Sequence, residues 1–174
     1  MNTRIMNGLV AACLIGTASA ACATERSVHA RDQHFVRKFS MIRLEVERIG
    51  QLAQTRSQDA QVKDLGQKLI EAYAQADQQL AVTAQAVDVN ATKKIGGRAA
   101  RKLNKLADLS GAAFDKAALH ELFKCEETGI SQLDREASGN GNEALRRSAA
   151  QVQTTIEPVV WRTAQLNAQF NSKS

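Results

Sequence analysis

The stretch QHFVRKFSMIRLEVERIGQLAQT, residues 33–55, decides the fold class. Its apolar side chains Phe35, Phe39, Ile42, Val46, Ile49 and Ala53 recur at spacings of 4, 3, 4, 3 and 4. That period puts them on one face of an α-helix and matches the seam of a helical bundle. Working outward, the same period returns three times. Val62, Leu65, Leu69, Tyr73, Ala76, Leu80, Thr83 and Val87 form a second stripe, with Ser57 as its expected N-cap and an end near Asp88. Ser110 is placed to cap a third helix that runs to about Ser138, with Phe114, Ala118, Leu122, Glu126, Gly129 and Leu133 on one side. Gly139-Asn140-Gly141 then breaks the chain. A last helix from Asn142 carries Leu145, Ala149, Val152, Ile156, Val159, Thr163, Leu166 and Phe170 in unbroken register. Pro158 falls inside it, where it removes one backbone hydrogen bond and is expected to bend the helix without ending it.

Composition agrees with this reading. Of 174 residues, 29 are Ala and 15 are Gln, a quarter of the chain in two good helix formers, while aromatic residues make up only 4%. β-Branched and aromatic residues are too scarce, and one Pro and 10 Gly provide too few turns, for a sandwich or barrel of many short strands. Charged residues at 24% exclude global disorder as the default. Helices of 23 to 30 residues measure roughly 35 to 45 Å at the standard rise. Short turns join the first helix to the second and the third to the fourth, and a long link connects the pairs. The expected fold is therefore an all-α, ferritin-like antiparallel four-helix bundle with one crossover, spanning 33–171.

The first twenty residues read as an export signal. Arg4 is the only charge before Glu25, Ile5 to Ala18 is mostly apolar, and Ala18-Ser19-Ala20 fits the small-x-small cleavage rule, so cleavage is expected after Ala20. The rival reading is a lipid anchor, at Val10-Ala11-Ala12-Cys13 or at Cys22. Residues 21–32 are expected to form a flexible lead into the bundle. In an oxidising compartment Cys22 and Cys125 allow one intramolecular bridge, although Cys125 also suits a small core position. The expected location is the periplasm or cell envelope.

The link between the helix pairs carries a second functional signal. Lys93, Lys94, Arg98, Arg101, Lys102 and Lys105 fall within thirteen residues that contain no acid, while Leu103 and Leu106 suggest a short helix lying against the bundle. Such a run suits an anionic lipid surface or envelope polymer. Specific nucleic-acid recognition is not expected, because no aromatic residue is interleaved for base stacking.

Several stretches resemble one bacterial exported family. Phe35 to Ala53 with Ile49-Gly50-Gln51-Leu52-Ala53, Lys68-Leu69-Ile70-Glu71 leading to Asp77-Gln78-Gln79-Leu80, and above all Leu109-Ser110-Gly111-Ala112-Ala113-Phe114-Asp115-Lys116 followed by Leu133-Asp134-Arg135-Glu136-Ala137 are similar to domain-of-unknown-function family 4142. The resemblance covers about Gln33 to Leu166. It implies export and a ferritin-like fold, and no established activity. It also implies inward metal-type ligands: a Glu on the first helix, Asp-His pairs on the second and third, and a His on the last. Aligned by the flanking motifs, those positions hold Val46, Ala72-Tyr73, Cys125-Glu126 and Val159 beside Pro158, so the resemblance implies a degenerate core site.

The residues lead to the same expectation without the resemblance. A ferritin-type di-iron centre uses Glu-x-x-His pairs, and none occurs here; His29, His34 and His120 all lie off the core stripes. No metal and no cofactor is expected. No Gly-x-Ser-x-Gly, P-loop or Gly-x-Gly-x-x-Gly motif points to catalysis. Glu126 nonetheless falls on the apolar face of its helix, where a lone charge is costly, and a hydrogen bond from the Tyr73 hydroxyl is the expected compensation. The chemistry thus narrows to a non-catalytic envelope bundle that binds a partner or anionic surface. The alternative is a ferritin-like metal-binding or redox protein in which Glu126 and Tyr73 turn inward together with Glu45 or Glu71.

Overall fold

A computed structural model describes residues 18–172, with side chains from Val28 onward. Its elements are α1 (Ala18–Arg56), α2 (Ala60–Ala86), α3 (Gly97–Ala107), α4 (Gly111–Ala137) and α5 (Glu143–Ser172), with no strand among the described residues. The four long helices form a square. α1 packs on α2 and α4, and α5 packs on the same two, so α1 faces α5 and α2 faces α4 across the diagonals. Gly111 opens α4 beside Gln58 in the α1–α2 turn, so α2 and α4 start at the same end. The 87–110 link must therefore return along the length of the bundle, and α3 lies on α1 and α4 as it does so.

The stripes read from the sequence form the core. Phe39, Val46, Ile49, Leu65, Leu69, Phe114, Leu133, Leu145, Ile156 and Leu166 are all buried. Burial of a large aliphatic or aromatic side chain stabilises a fold by roughly 1.5–3 kcal/mol each, which is what holds long helices together in water. Two glycines set the spacing of α1 against α2. A Cβ on Gly50 would lie 2.7 Å from the Gly66 carbonyl oxygen, and a Cβ on Gly66 would lie 2.8 Å from that of Gly50. The backbones touch there because neither residue has a side chain.

Three expectations are corrected. Residues 21–32 are not a loose lead but part of α1, which starts at Ala18 rather than Gln33. Alanines at 20, 21, 23 and 30 favour helix, and no Gly or Pro interrupts 18–49. The extension is also fastened: Arg31 donates to the Asn140 side chain, and buried Asp32 accepts the Asn142 backbone N–H at 3.2 Å. Second, the N-cap of α2 is Asp59, whose Oδ1 accepts from Gln61 N at 2.7 Å and Val62 N at 3.3 Å. Ser57 sits two residues earlier, where its hydroxyl accepts the Asp59 N–H. Third, Ser110 occupies the N-cap position of α4 without a side-chain cap bond. Pro158 does lie inside a continuous α5, with Trp161 exposed and off the seam.

Residues 1–17 of the expected export signal lie outside the described residues, as do Cys13 and the side chain of Cys22. Cys125 is a free, buried thiol. No described helix is long and apolar enough to cross a membrane.

Candidate functional site

The residues of the expected core layer are buried, but they do not come together as one site. Val46, Tyr73, Cys125, Glu126 and Val159 are all buried. The Tyr73 ring stacks on Phe39 at a centroid distance of 6.4 Å, which holds it flat in the core. The expected Tyr73–Glu126 hydrogen bond is absent: the Tyr73 hydroxyl and both Glu126 carboxyl oxygens lack any hydrogen-bond partner. Thr163 lies next to the carboxyl, yet its single hydroxyl proton goes to the Val159 carbonyl at 3.0 Å. Burial pushes the Glu126 carboxyl up to about 8, with the Thr163 hydroxyl offsetting only part of that rise. Burial likewise raises the Tyr73 phenol, and the negative charge that Glu126 can carry adds to it. The layer thus holds a carboxyl that favours its neutral form and two polar groups that approach without meeting.

Cys125 and Glu126 are neighbours in sequence but face different surroundings. Cys125 lines a cavity of about 320 Å³ between α1, α3 and α4. Burial pushes its thiol up to about 12, with Glu45 adding to the rise and Lys102 opposing it, so it is a poor nucleophile at neutral pH. Glu45 also turns toward this cavity, and Glu71 is exposed on α2. Neither Glu45 nor Glu71 therefore joins Glu126 and Tyr73, as a metal centre would need. Among the described residues no group of three or more His, Cys, Asp or Glu side chains could hold a metal ion. His29, His34 and His120 are exposed.

The basic link divides into an outer and an inner set. Lys93, Lys94, Arg98, Arg101 and Lys105 are exposed. Lys102 is not part of that surface: its ammonium meets Glu45 Oε1 at 2.5 Å and Glu121 Oε2 at 2.9 Å. Partial burial works against its charge, but the two carboxylates overcome that and raise its pKa. Helical spacing explains the division. Leu103 and Leu106 are buried against the bundle, and Lys102 lies on the flank nearest α1 and α4; Arg98, one turn before it, is exposed at the edge of the same cavity, while Arg101 and Lys105 are exposed and line no part of it.

Sequence reading missed the buried acids at the two ends. Asp115 sits near Ser57 at the α1–α2 turn, and Asp32 and Glu136 crowd Gly141 at the α4–α5 turn, where an added Cβ would lie 2.6 Å from Asp32 Oδ1 and 2.8 Å from Glu136 Oε1. Their only advance signals were positional: Asp115 directly follows Phe114, and Asp32 and Glu136 lie three residues from Phe35 and Leu133, in step with the apolar stripes.

Residues 17–165 match the family model described as Domain of unknown function (DUF4142). No curated protein and no solved structure matches the chain. The match spans α1 to α4 and most of α5, and with that coverage the chain belongs to the DUF4142 family of domains of unknown function.

Proposed function

We propose that this is a non-catalytic, exported helical-bundle protein of the cell envelope, ferritin-like in its helix order, whose crossover docks on an anionic surface. The observation that carries the reading is the outer face of the 93–105 segment. Five cations, Lys93, Lys94, Arg98, Arg101 and Lys105, are exposed there, and the inner face of α3 is fixed to the bundle by Leu103, Leu106 and the Lys102 ion pairs. Because the segment is already ordered, docking costs little conformational entropy, and the cations act as one patch. The net charge of +5 attracts the whole molecule to the same surface.

Co-sedimentation with vesicles of mixed anionic and zwitterionic lipid tests it. Binding is expected at low salt and should fade above physiological ionic strength, where screening acts over about 8 Å or less. A variant with those five cations changed to Gln should lose most of the binding while keeping its helical signal. Equal binding by that variant rejects the crossover as the docking face.

A further inference from the structure

The cavity beneath the crossover has an ordered arrangement of its own. On α1 it is lined at Lys38, Met41, Ile42 and Glu45, four positions that share one helical face across two turns, or roughly 10 Å of helix. α4 offers the matching face from Glu121 to Thr128, and α3 forms the roof. Lys102 joins Glu45 to Glu121, which closes one end of the cavity and clamps the roof to both walls. The middle is apolar, built from Met41, Ile42, Ala99 and the inert Cys125 thiol. Toward the other end stand Lys38, Arg98 and Lys124, none of which has an ion-pair partner among the described residues.

An apolar slot with three uncommitted cations at its mouth is complementary to an alkyl chain that ends in an anion. Its volume of about 320 Å³ lies at the small end of the range for ligand pockets, about 300–1,000 Å³, which suits one medium-length chain and excludes a two-chain lipid. We propose that the α1–α3–α4 cavity binds a single-chain anionic amphiphile, a medium-chain carboxylate or alkyl phosphate, with the chain along Met41, Ile42, Ala99 and Cys125 and the anion held by Lys38, Arg98 and Lys124. The closed end, where Glu45 and Glu121 are already committed to Lys102, repels a second anionic group and sets the direction of entry. This site does not rest on the vesicle-docking reading, since the two share only Arg98.

Isothermal titration of the full chain with decanoate, decyl phosphate and decyltrimethylammonium tests it. Both anions should bind saturably at one site, and the cation should not. Ala99→Phe, which fills the slot from a partly exposed helix position, should weaken anion binding at least tenfold while leaving vesicle binding intact. Arg98→Ala combined with Lys124→Ala should weaken it about tenfold without blocking the slot, and this variant decides the matter if Ala99→Phe loses its helical signal. No saturable binding of either anion up to about 1 mM, equal binding of the cation, or full binding by the Arg98–Lys124 double variant would overturn the proposal. Absence of vesicle binding by the unaltered chain, with decanoate binding present, would reject the surface reading alone.

Discussion

Glu126 is the residue whose environment departs furthest from what its side chain prefers. A buried carboxyl with no committed hydrogen-bond donor forfeits its hydration and recovers little from the protein, a penalty of roughly 1–3 kcal/mol for a neutral group and more for a charged one. The helical period placed it on the apolar face, and the structure agrees. What the period could not supply was the partner, because whether a Tyr hydroxyl meets a carboxyl depends on ring tilt, and here the ring is held by Phe39. The consequence reverses the usual expectation for a buried Tyr. Tyr73→Phe removes a hydroxyl that bonds to nothing and should leave stability unchanged or raise it by up to about 1 kcal/mol, and Glu126→Leu should raise it by roughly 1–3 kcal/mol. Urea unfolding of both variants at neutral pH is the check. A clear loss of stability in Tyr73→Phe would show that the hydroxyl has a partner in solution.

Among the elements, the α1–α2 pair is the most tightly specified. Gly50 and Gly66 each place hydrogen where any other residue places a methyl group, and the obstacle each would meet is backbone rather than a movable side chain. Gly50→Ala or Gly66→Ala should therefore cost roughly 1–3 kcal/mol even though Ala is the better helix former, since the helices must separate to admit it. Gly96→Ala is the control: nothing lies within 4 Å of its added Cβ, and the fold should tolerate it. Thermal melts of the three variants make the comparison. The sequence pattern hid this contact, because a glycine within a stripe reads as a weak helix position until the partner glycine on the next helix is seen opposite it. α5 shows the reverse case. Its apolar register continued unbroken across Pro158, and the helix follows the register because the core contacts on both sides outweigh one missing hydrogen bond.

At the scale of the whole molecule, the buried acids give stability a common pH trend. Burial raises Glu126, Asp115 and Glu136; the charge of Asp32 adds to the rise at Glu136, against Arg31 and Arg146, and Ser57 offsets part of the rise at Asp115. An acid whose folded pKa lies above its unfolded value binds more protons in the folded state, so stability falls as pH rises through that interval. For Glu126 the interval runs from about 4.5 to about 8. The raised Lys102 acts in the same sense, but only at alkaline pH, where its stabilisation is lost as pH climbs past the unfolded value. The melting temperature should therefore be higher near pH 5.5 than near pH 8.5, and Glu126→Leu should flatten much of that slope. A melting temperature that rises between those two pH values would contradict the burial of these carboxyls.

The sequence by itself determined the helices, their inward faces, the crossover and the family, because each follows from a short-range period or a local motif that survives any packing. Four stripes at spacings of 3 and 4 have no other low-energy use in water than to bury one another. Tertiary structure alone decided which charges are free and which are committed. Lys102 looked like one more cation of the link until Glu45 and Glu121, 57 and 19 residues away, closed on it. Asp32 looked like part of a loose lead until it accepted a backbone N–H of the last turn, 110 residues on. Pairings of this kind depend on distances between elements, and no local rule encodes them. The same holds for the cavity beneath α3, which belongs to no helix and exists only where three of them meet.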